Sequence, residues 1–265
     1  MHKILYFLRH NSFLILCSKI LHWDELKYRI RSVKMKCKGN IIRLHSSGPF
    51  FYLPYFETDH IQRIIFKNRN YYDVDLLDFI CNKWNNALLK RELCNASILD
   101  IGSNIGNHSI FFFFHCNIKE SYNFEPVKDT FNILSKNIEL NKLNAHLYNI
   151  GIGAKKSQAN ILKYDKSNIG ATQIKLNKTG NITISSIDEL QINSKIKLVK
   201  IDVEGFEKDV IYGMQALINR DKPFILIELW NKNLDAIDKN LKDHGYARFD
   251  INKDDSLGNY LYYIE

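Results

Sequence analysis

Proline is scarce in this chain, with four residues in 265, and no segment repeats. Disorder and solenoid architectures are therefore poor descriptions of it. Cysteine is sparse as well. Cys17, Cys37, Cys81, Cys94 and Cys116 are scattered, odd in number and never spaced Cys-x-x-Cys. That argues against a zinc site or a disulfide framework and favours reduced thiols, as in the cytosol. Long apolar runs are missing. Residues 4–8 and 13–17 are each too short to span a bilayer, and Arg9-His10-Asn11-Ser12 separates them. No small-residue cleavage site follows, which argues against a secretory signal. Acidic residues are nearly absent from the first 43 positions, which hold two Asp/Glu against ten Lys/Arg. Positions 44–265 hold 27 of each sign, so the whole net charge of +8 sits on the N-terminal arm. Such an arm suits anionic lipid, an anionic glycan or an acidic carrier, and on charge alone it also admits nucleic acid.

What is present points to a globular α/β protein. Hydrophobic residues make up 45% of the chain and charged residues 25%, enough for one full core with an extension. Phe13, Leu16, Cys17, Ile20 and Leu21 recur at helical spacing. An amphipathic helix is expected over residues 1–23, either docked on the domain or lying at a membrane surface. Residues 41–44 and 50–53 read as extended, on either side of Ser46-Ser47-Gly48-Pro49. Helices are expected over 59–67 and over 73–93, the latter with Leu76, Leu77, Ile80, Trp84 and Leu88 on one face.

The strongest local signal is Ser97-Ile98-Leu99-Asp100-Ile101-Gly102-Ser103-Asn104-Ile105-Gly106-Asn107-His108. Ile98, Leu99 and Ile101 suit a buried parallel strand. Gly102 and Gly106, around Asn104, let backbone N–H groups approach a ligand, and a helix N-terminus beyond them favours negative charge. About 25 residues after Asp100 stands Glu125, in Asn123-Phe124-Glu125-Pro126, where an acid ending a second strand grips ribose hydroxyls. The phenylalanine-rich run 110–114 is expected to be a helix packed on the sheet. A second helix over 128–141 should turn Phe131, Leu134 and Ile138 inward, and a third strand covers 145–150.

Residues 157–185 break the strand–helix alternation. They read as a β insertion, with strands at 158–162 and 181–185 around Asn168-Ile169-Gly170-Ala171-Thr172. Alternation resumes with a strand over 196–201, then Asp202-Val203-Glu204-Gly205-Phe206-Glu207 and a helix carrying Val210, Ile211, Met214 and Leu217. A strand over 224–227 ends in Glu228. A helix over 234–244 and strands over 246–251 and 260–264 close the chain. Ligands of open α/β sheets bind at the carboxyl ends of strands, so Asp202, Glu204 and Glu228 are expected to converge near Glu125.

In order and spacing, these motifs resemble the FkbM-type S-adenosylmethionine-dependent methyltransferases. The resemblance covers roughly residues 93–230. It rests on the glycine turn, Phe124-Glu125-Pro126, Asn168-Ile169-Gly170-Ala171, Ile187-Asp188-Glu189-Leu190, Lys200-Ile201-Asp202-Val203-Glu204-Gly205-Phe206-Glu207 and Ile225-Leu226-Ile227-Glu228. Ser103 departs from the usual Ala. The resemblance implies an α/β, Rossmann-like methyltransferase domain over 93–265. Its sheet would have seven strands, the last antiparallel, and residues 1–92 would form a basic N-terminal α/β extension capping it. It also implies methyl transfer from S-adenosyl-L-methionine to oxygen. The expected acceptor is a hydroxyl of a sugar in a glycan or glycolipid, and the expected setting is cytoplasmic, with peripheral contact to an anionic membrane.

By the same resemblance, Asp100, Gly102, Asn104, Gly106 and Glu125 hold the cofactor. Asp202, Glu204 and Glu228 are the candidate catalytic carboxylates. A hydroxyl is a poor nucleophile, and a base within hydrogen-bond reach assists it. A divalent metal held by the same carboxylates is the other option these residues leave open. Glu207 is expected to cap its helix and His108 to serve structure. A nucleic-acid methyltransferase would account for the basic arm. However, Asp202-Val203-Glu204-Gly205 stands where base-methylating enzymes carry an Asn/Asp-Pro-Pro-aromatic block, and its carboxylates suit a phosphate backbone poorly. A nicotinamide oxidoreductase wants Gly-x-Gly-x-x-Gly, unlike Gly102-x-x-x-Gly106. A degenerate methyltransferase fold used as a binding module is the remaining alternative, and the intact pocket residues speak against it.

Overall fold

The computed structural model describes residues 27–28, 30–32, 34–35 and 38–265. The helix expected over 1–23 lies outside the described residues. The chain divides into two compact units, residues 1–42 and 43–265, so residues 43–92 belong to the same unit as the sheet. In the first unit the described residues between 27 and 35 are helical, with Ser32 and Met35 buried. The two stretches expected to be extended form short strands, β1 (Ile41–Arg43) and β2 (Phe50–Tyr52).

The second unit is built on strands β3 (Ser97–Ile101), β4 (Glu120–Phe124) and β5 (Ala145–Tyr148), and it resumes after an insertion. The insertion comprises β6 (Gly151–Ile152), β7 (Ser157–Lys163), β8 (Gln173–Leu176) and β9 (Ile182–Ser185), which form their own sheet in the order β6-β9-β7-β8. Then come β10 (Ile196–Ile201), β11 (Phe224–Trp230), β12 (Ala247–Lys253) and β13 (Leu257–Tyr263). The main sheet has seven strands in the order β12-β13-β11-β10-β3-β4-β5. Only β13 runs antiparallel to its neighbours, as the resemblance implied. Strand order reverses beside β3, and that reversal opens a crevice at the carboxyl ends of β3, β4 and β10.

Every residue of β3 is buried because helices cover both faces of the sheet. The main core joins Leu99, Val199, Ile201, Ile225 and Ile227 to Met214, Ile218, Ile237 and Leu241. Register places Asp100 between Lys200 of β10 and Asn123 of β4. Cross-strand partners share a face, so one apolar sheet face carries a polar row at its end.

Helix α1 (His60–Asn68) begins where expected, with Asp59 as N-cap. The helix expected over 73–93 is broken. It becomes α2 (Val74–Asp78), a π turn, a 3-10 turn and α3 (Leu88–Leu93), because Asn85, Asn86 and Ala87 all adopt positive φ. The break lets Trp84 pack edge-on against Phe224 and Tyr263 at the sheet edge. Helix α4 (Asn107–Cys116) buries Phe111 and Phe112, but Phe114 is 43% exposed, so the aromatic run is only partly core. Helix α5 (Lys128–Asn141) has the expected bounds; Phe131 is half-buried, and Ile133 stands in the core in its place. The Asn137 carboxamide of α5 accepts from Tyr52 N and donates to Ile105 O, which latches β2 onto the sheet layer.

The helix expected after Gly205 is two helices, α6 (Glu207–Tyr212) and α7 (Gln215–Asp221). Between them Gly213 lies so close to Gly153 that a Cβ would stand 2.0 Å from the Gly153 carbonyl oxygen. Asp188, in one of the recognised motifs, accepts from Ala216 N and Leu217 N and so caps α7. Strand β11 runs two residues beyond Glu228, and α8 (Asn231–Asp243) follows it directly. No helix among the described residues is long and apolar enough to cross a membrane.

Candidate active site

The glycine turn is shaped by contact as much as by sequence. Gly102 has φ +78, and a Cβ there would stand 1.7 Å from the Asp202 carbonyl oxygen. The turns after β3 and β10 therefore touch backbone to backbone. Gly102 N and Ser103 N both donate to Phe124 O, which brings the end of β4 to the same place. Gly106, at φ +88, starts α4. Asn104 lies between them in the left-handed region, and its N–H donates to Glu125 Oε2 at 3.0 Å. Val127 N donates to the other Glu125 oxygen at 2.9 Å. Burial raises the Glu125 carboxyl to about 7 against the lowering effect of these two N–H groups.

Gly102, Asn104 and Glu125 line a cleft. They form one wall, Ile150, Gly151 and Ile152 another, and Asn168, Ile169 and Gly170 of the insertion a third. Asp202, Glu204 and Glu228 enter at the mouth, so three of the expected carboxylates and the cofactor turn do share one cavity. Neither Asp100 nor Gly106 lines it; Gly106 faces Leu134 and Ile138 of α5 and Ile110 of α4. The Asp100 side chain is 1% exposed, accepts from Ser109 Oγ at 2.6 Å and lies 3.5 Å from Lys200 Nζ. It supports the turn from behind.

Lys200 organises the mouth. Its ammonium donates to Gly102 O at 2.9 Å and lies 3.4 Å from Asp202 Oδ2. Burial raises the Asp202 carboxyl, but the Lys200 charge and a hydrogen bond shared with Glu228 outweigh it and hold Asp202 below the usual range. Glu228 goes the other way, raised by burial, by the Asp202 charge and by that shared bond. The pair thus holds one proton, on Glu228. Glu204, in the left-handed region at φ 51, is raised to about 7 by burial and then by Asp202 and Glu207. Glu207 itself accepts from Gly205 N and Asn233 Nδ2, so it ties the turn before α6 to α8 rather than capping α6, which has no side-chain cap.

Two site residues were not singled out from sequence. Tyr72 and Asp73 precede α2 and line the cleft together with Asp202. The Asn107 carboxamide pins them, accepting from Tyr72 N and donating to Tyr72 O at 3.0 Å each. Asp73 is raised to about 6 by burial and then by Asp202. Its φ of 52 and its place before a helix lacked any motif to flag it. His108, expected to be structural, faces a small recess with Asp73, Lys200, Asp202 and Glu228. Burial and Lys200 lower it to about 4, so it is neutral. Among the described residues no group of three or more His, Cys, Asp or Glu is arranged to hold a metal ion. The positive charge facing Asp202 is the Lys200 ammonium, and the site does not fit the metal option.

The methyltransferase FkbM domain matches residues 100–247, more than half of the chain. The chain belongs to the FkbM methyltransferase family. The matched segment runs from the turn at Asp100 through β11 and α8, so it contains Glu125, the insertion and all three mouth carboxylates. Hexuronic acid methyltransferase AglP of Haloferax volcanii is 31% identical over 137 residues, 49% of this chain and 54% of that protein. The chain thus spans about half the length of that curated relative. The crystal structure of methyltransferase FkbM from Methylobacillus flagellatus superposes with a TM-score of 0.50 at 14% identity, covering 79% of this chain and 56% of that one. That likeness establishes the FkbM fold; Tyr72 and Asp73 lie outside the matched FkbM segment.

Proposed function

We propose that the protein is an S-adenosylmethionine-dependent O-methyltransferase acting on a sugar hydroxyl in a glycan or glycolipid. The observation that carries this reading is the charge of the cleft. Its lining holds five carboxyl groups, Asp73, Glu125, Asp202, Glu204 and the protonated Glu228, and no Lys, Arg or His. Such a pocket fits a cofactor that carries sulfonium and ammonium charges. When bound, the cofactor supplies the methyl group and takes back the sulfide.

The chain's own residues then align and accept. Glu125 keeps lone pairs free beyond its two backbone bonds and receives the ribose hydroxyls. Ile150 and Ile152 offer the apolar wall for the base. Asp202, ionised and with 32% of its side chain exposed, accepts a hydrogen bond from the acceptor hydroxyl. That proton grows acidic as its oxygen shares electrons with the arriving carbon, so a carboxylate of low basicity suffices to take it. Lys200 and protonated Glu228 hold Asp202 in place. A hexuronic acid presents both hydroxyls and a carboxylate, and this acidic mouth favours a neutral hydroxyl over an anion. The basic excess of residues 1–43 supports an acceptor presented near an anionic surface.

The test uses labelled S-adenosylmethionine and a hexuronate-containing oligosaccharide. Asp202→Ala should cut transfer by roughly 10²–10⁴ while S-adenosylhomocysteine affinity stays within a few fold. Full transfer by the variant would remove Asp202 from its role. No binding of S-adenosylhomocysteine to the unaltered protein would overturn the cofactor reading.

Glu125 adds a pH dependence. Its carboxyl is raised to about 7, so it binds ribose hydroxyls as an anion only as pH climbs through that value. Affinity for S-adenosylhomocysteine should rise about tenfold between about pH 6 and about pH 8, and Glu125→Gln should flatten the profile. The same raised value means that the folding stability contributed by neutral Glu125 is fully present below its usual 4.5 and is lost as pH rises from there through about 7. Calorimetric titration and urea unfolding at the two pH values check both signs.

A further inference from the structure

The whole-chain balance conceals a second basic segment. Residues 151–185, which carry the β insertion, hold six lysines and a single acid, Asp165. Their net charge of +5 is offset by −5 over the rest of residues 44–265. Beside the cleft this segment forms one side of a second groove, of about 670 Å³. Pro126, Val127 and Ile169 line both cavities and so form the ridge between them. Tyr55 and Tyr164 line the groove with Lys128 and Lys166, and Asp129 is the one acid in the lining. Lys128 lies over the Phe131 ring, and neither lysine is held in an ion pair among the described residues.

The placement of both tyrosines is built. Tyr55 O accepts from Thr58 N and Asp59 N in the turn that leads into α1. Asp59 is fully buried; one carboxylate oxygen accepts from Gln62 N, and the other accepts from Ile169 N at 2.9 Å. His60 N donates to Ser167 O at 2.7 Å, and Asp165 Oδ1 accepts from Ser167 N and Oγ. The loop after β7 is thus strapped to the N-terminus of α1, which fixes Tyr164 relative to Tyr55. Each tyrosine is 42% exposed, so each presents ring surface to a ligand. The start of the same loop reaches the mouth of the cleft. Glu204 is raised by burial, Asp202 and Glu207, and the charge that opposes them is Lys163. Lys163, Tyr164 and Lys166 therefore lead from the mouth to the groove along one short stretch of chain.

The two cavities have opposite chemistry. Five carboxyl groups line the cleft, which disfavours an anion. An anionic glycan offers a neutral hydroxyl there only if its own charge lies elsewhere, and the neighbouring groove supplies cations. We propose that this groove is an acceptor subsite for a carboxylate-bearing sugar, at least one unit along the glycan from the ring that is methylated. This rests on the O-methyltransferase reading above. Tyr55 and Tyr164 offer their rings to the C–H face of a pyranose, and Lys128 and Lys166 pair with its carboxylate. The smallest good acceptor is then an oligosaccharide rather than a single hexuronate. A nucleic acid is a poorer fit, because two lysines beside an aspartate neutralise few phosphates and the adjoining cleft repels the rest.

Calorimetry tests the groove with a tetrasaccharide of alternating glucuronate and N-acetylglucosamine, its carboxyl methyl ester, and tetrauridylate. The free acid should bind about tenfold tighter than the ester. Lys128→Ala combined with Lys166→Ala should remove that difference, and Tyr164→Ala should weaken both sugars about tenfold. S-adenosylhomocysteine affinity should stay within about twofold in every variant, because the two cavities act independently. That result also shows that the variants are folded. Absent sugar binding, equal binding of acid and ester, or sugar affinity unchanged in the variants would overturn the proposal. So would a parallel loss of S-adenosylhomocysteine affinity, which gives the groove to the cofactor, or tighter binding of tetrauridylate than of the acid, which gives it to nucleic acid. Failure of the unaltered protein to bind S-adenosylhomocysteine would instead sink the cofactor reading, and the sugar titrations would still decide the groove.

Discussion

Gly102→Ala should leave little folded protein, with a stability loss beyond about 4–5 kcal/mol, the range of the most damaging single substitutions. Two effects combine. The residue sits at φ +78, where a Cβ is strained whatever surrounds it. That Cβ would also stand 1.7 Å from the carbonyl oxygen of Asp202. A side chain in the way can rotate, but a carbonyl held at the end of β10 cannot. Relief requires the turns after β3 and β10 to separate, which undoes the hydrogen bonds from Gly102 N and Ser103 N to Phe124 O. Gly205→Ala is the control, since its φ is +110 but nothing lies within 4 Å. It should cost only backbone strain, about 1–3 kcal/mol. Soluble yield and thermal melts of the two variants make the comparison. Similar melting temperatures for both would mean that backbone contact between the turns is not what the fold depends on.

Lys200→Met should cost about 3–5 kcal/mol of stability near neutral pH, the usual result of removing one partner from a buried ion pair. Lys200 is 4% exposed and serves three groups at once: the Gly102 carbonyl, Asp100 and Asp202. Methionine preserves the volume but leaves Asp100 buried beside Asp202 with no cation between them. The pH dependence has a definite sign. Asp202 lies below its usual value of 3.8, so its contribution is present above about that pH and is lost as pH falls through the lowered value. The gap between wild type and variant should therefore narrow below about pH 4. Urea unfolding at neutral and acid pH measures it. A constant gap would assign Lys200 a packing role rather than an electrostatic one.

Much of the site was legible because short-range rules govern it. An apolar strand, a glycine turn and a helix announce a ligand turn wherever they occur, and Glu125 follows at the spacing of the next strand. The ends of β10 and β11 could be read in the same way, so Asp202, Glu204 and Glu228 were expected together and were found together. Asp100 shows the limit of that reasoning. The resemblance implied that Asp100 holds the cofactor, but sheet register turns its side chain toward Lys200 and Ser109. Helix continuity misled at 73–93. The apolar spacing there is helical, yet Asn85, Asn86 and Ala87 all turn left-handed, and Trp84 packs on Phe224 and Tyr263 at the sheet edge.

The sequence by itself determined the Rossmann-like framework, the glycine turn, the acid at the end of β4 and the carboxylates after β10. All of these depend on periodicity and chain-neighbour geometry. The tertiary structure decided what each group does there. It brought Tyr72 and Asp73 to the mouth through Asn107, strapped the insertion to α1 through Asp59, and set one lysine among the carboxylates. Those contacts join residues tens of positions apart. Their energetics depend on burial and on neighbours across the sheet, and neither is written in the local pattern of the chain.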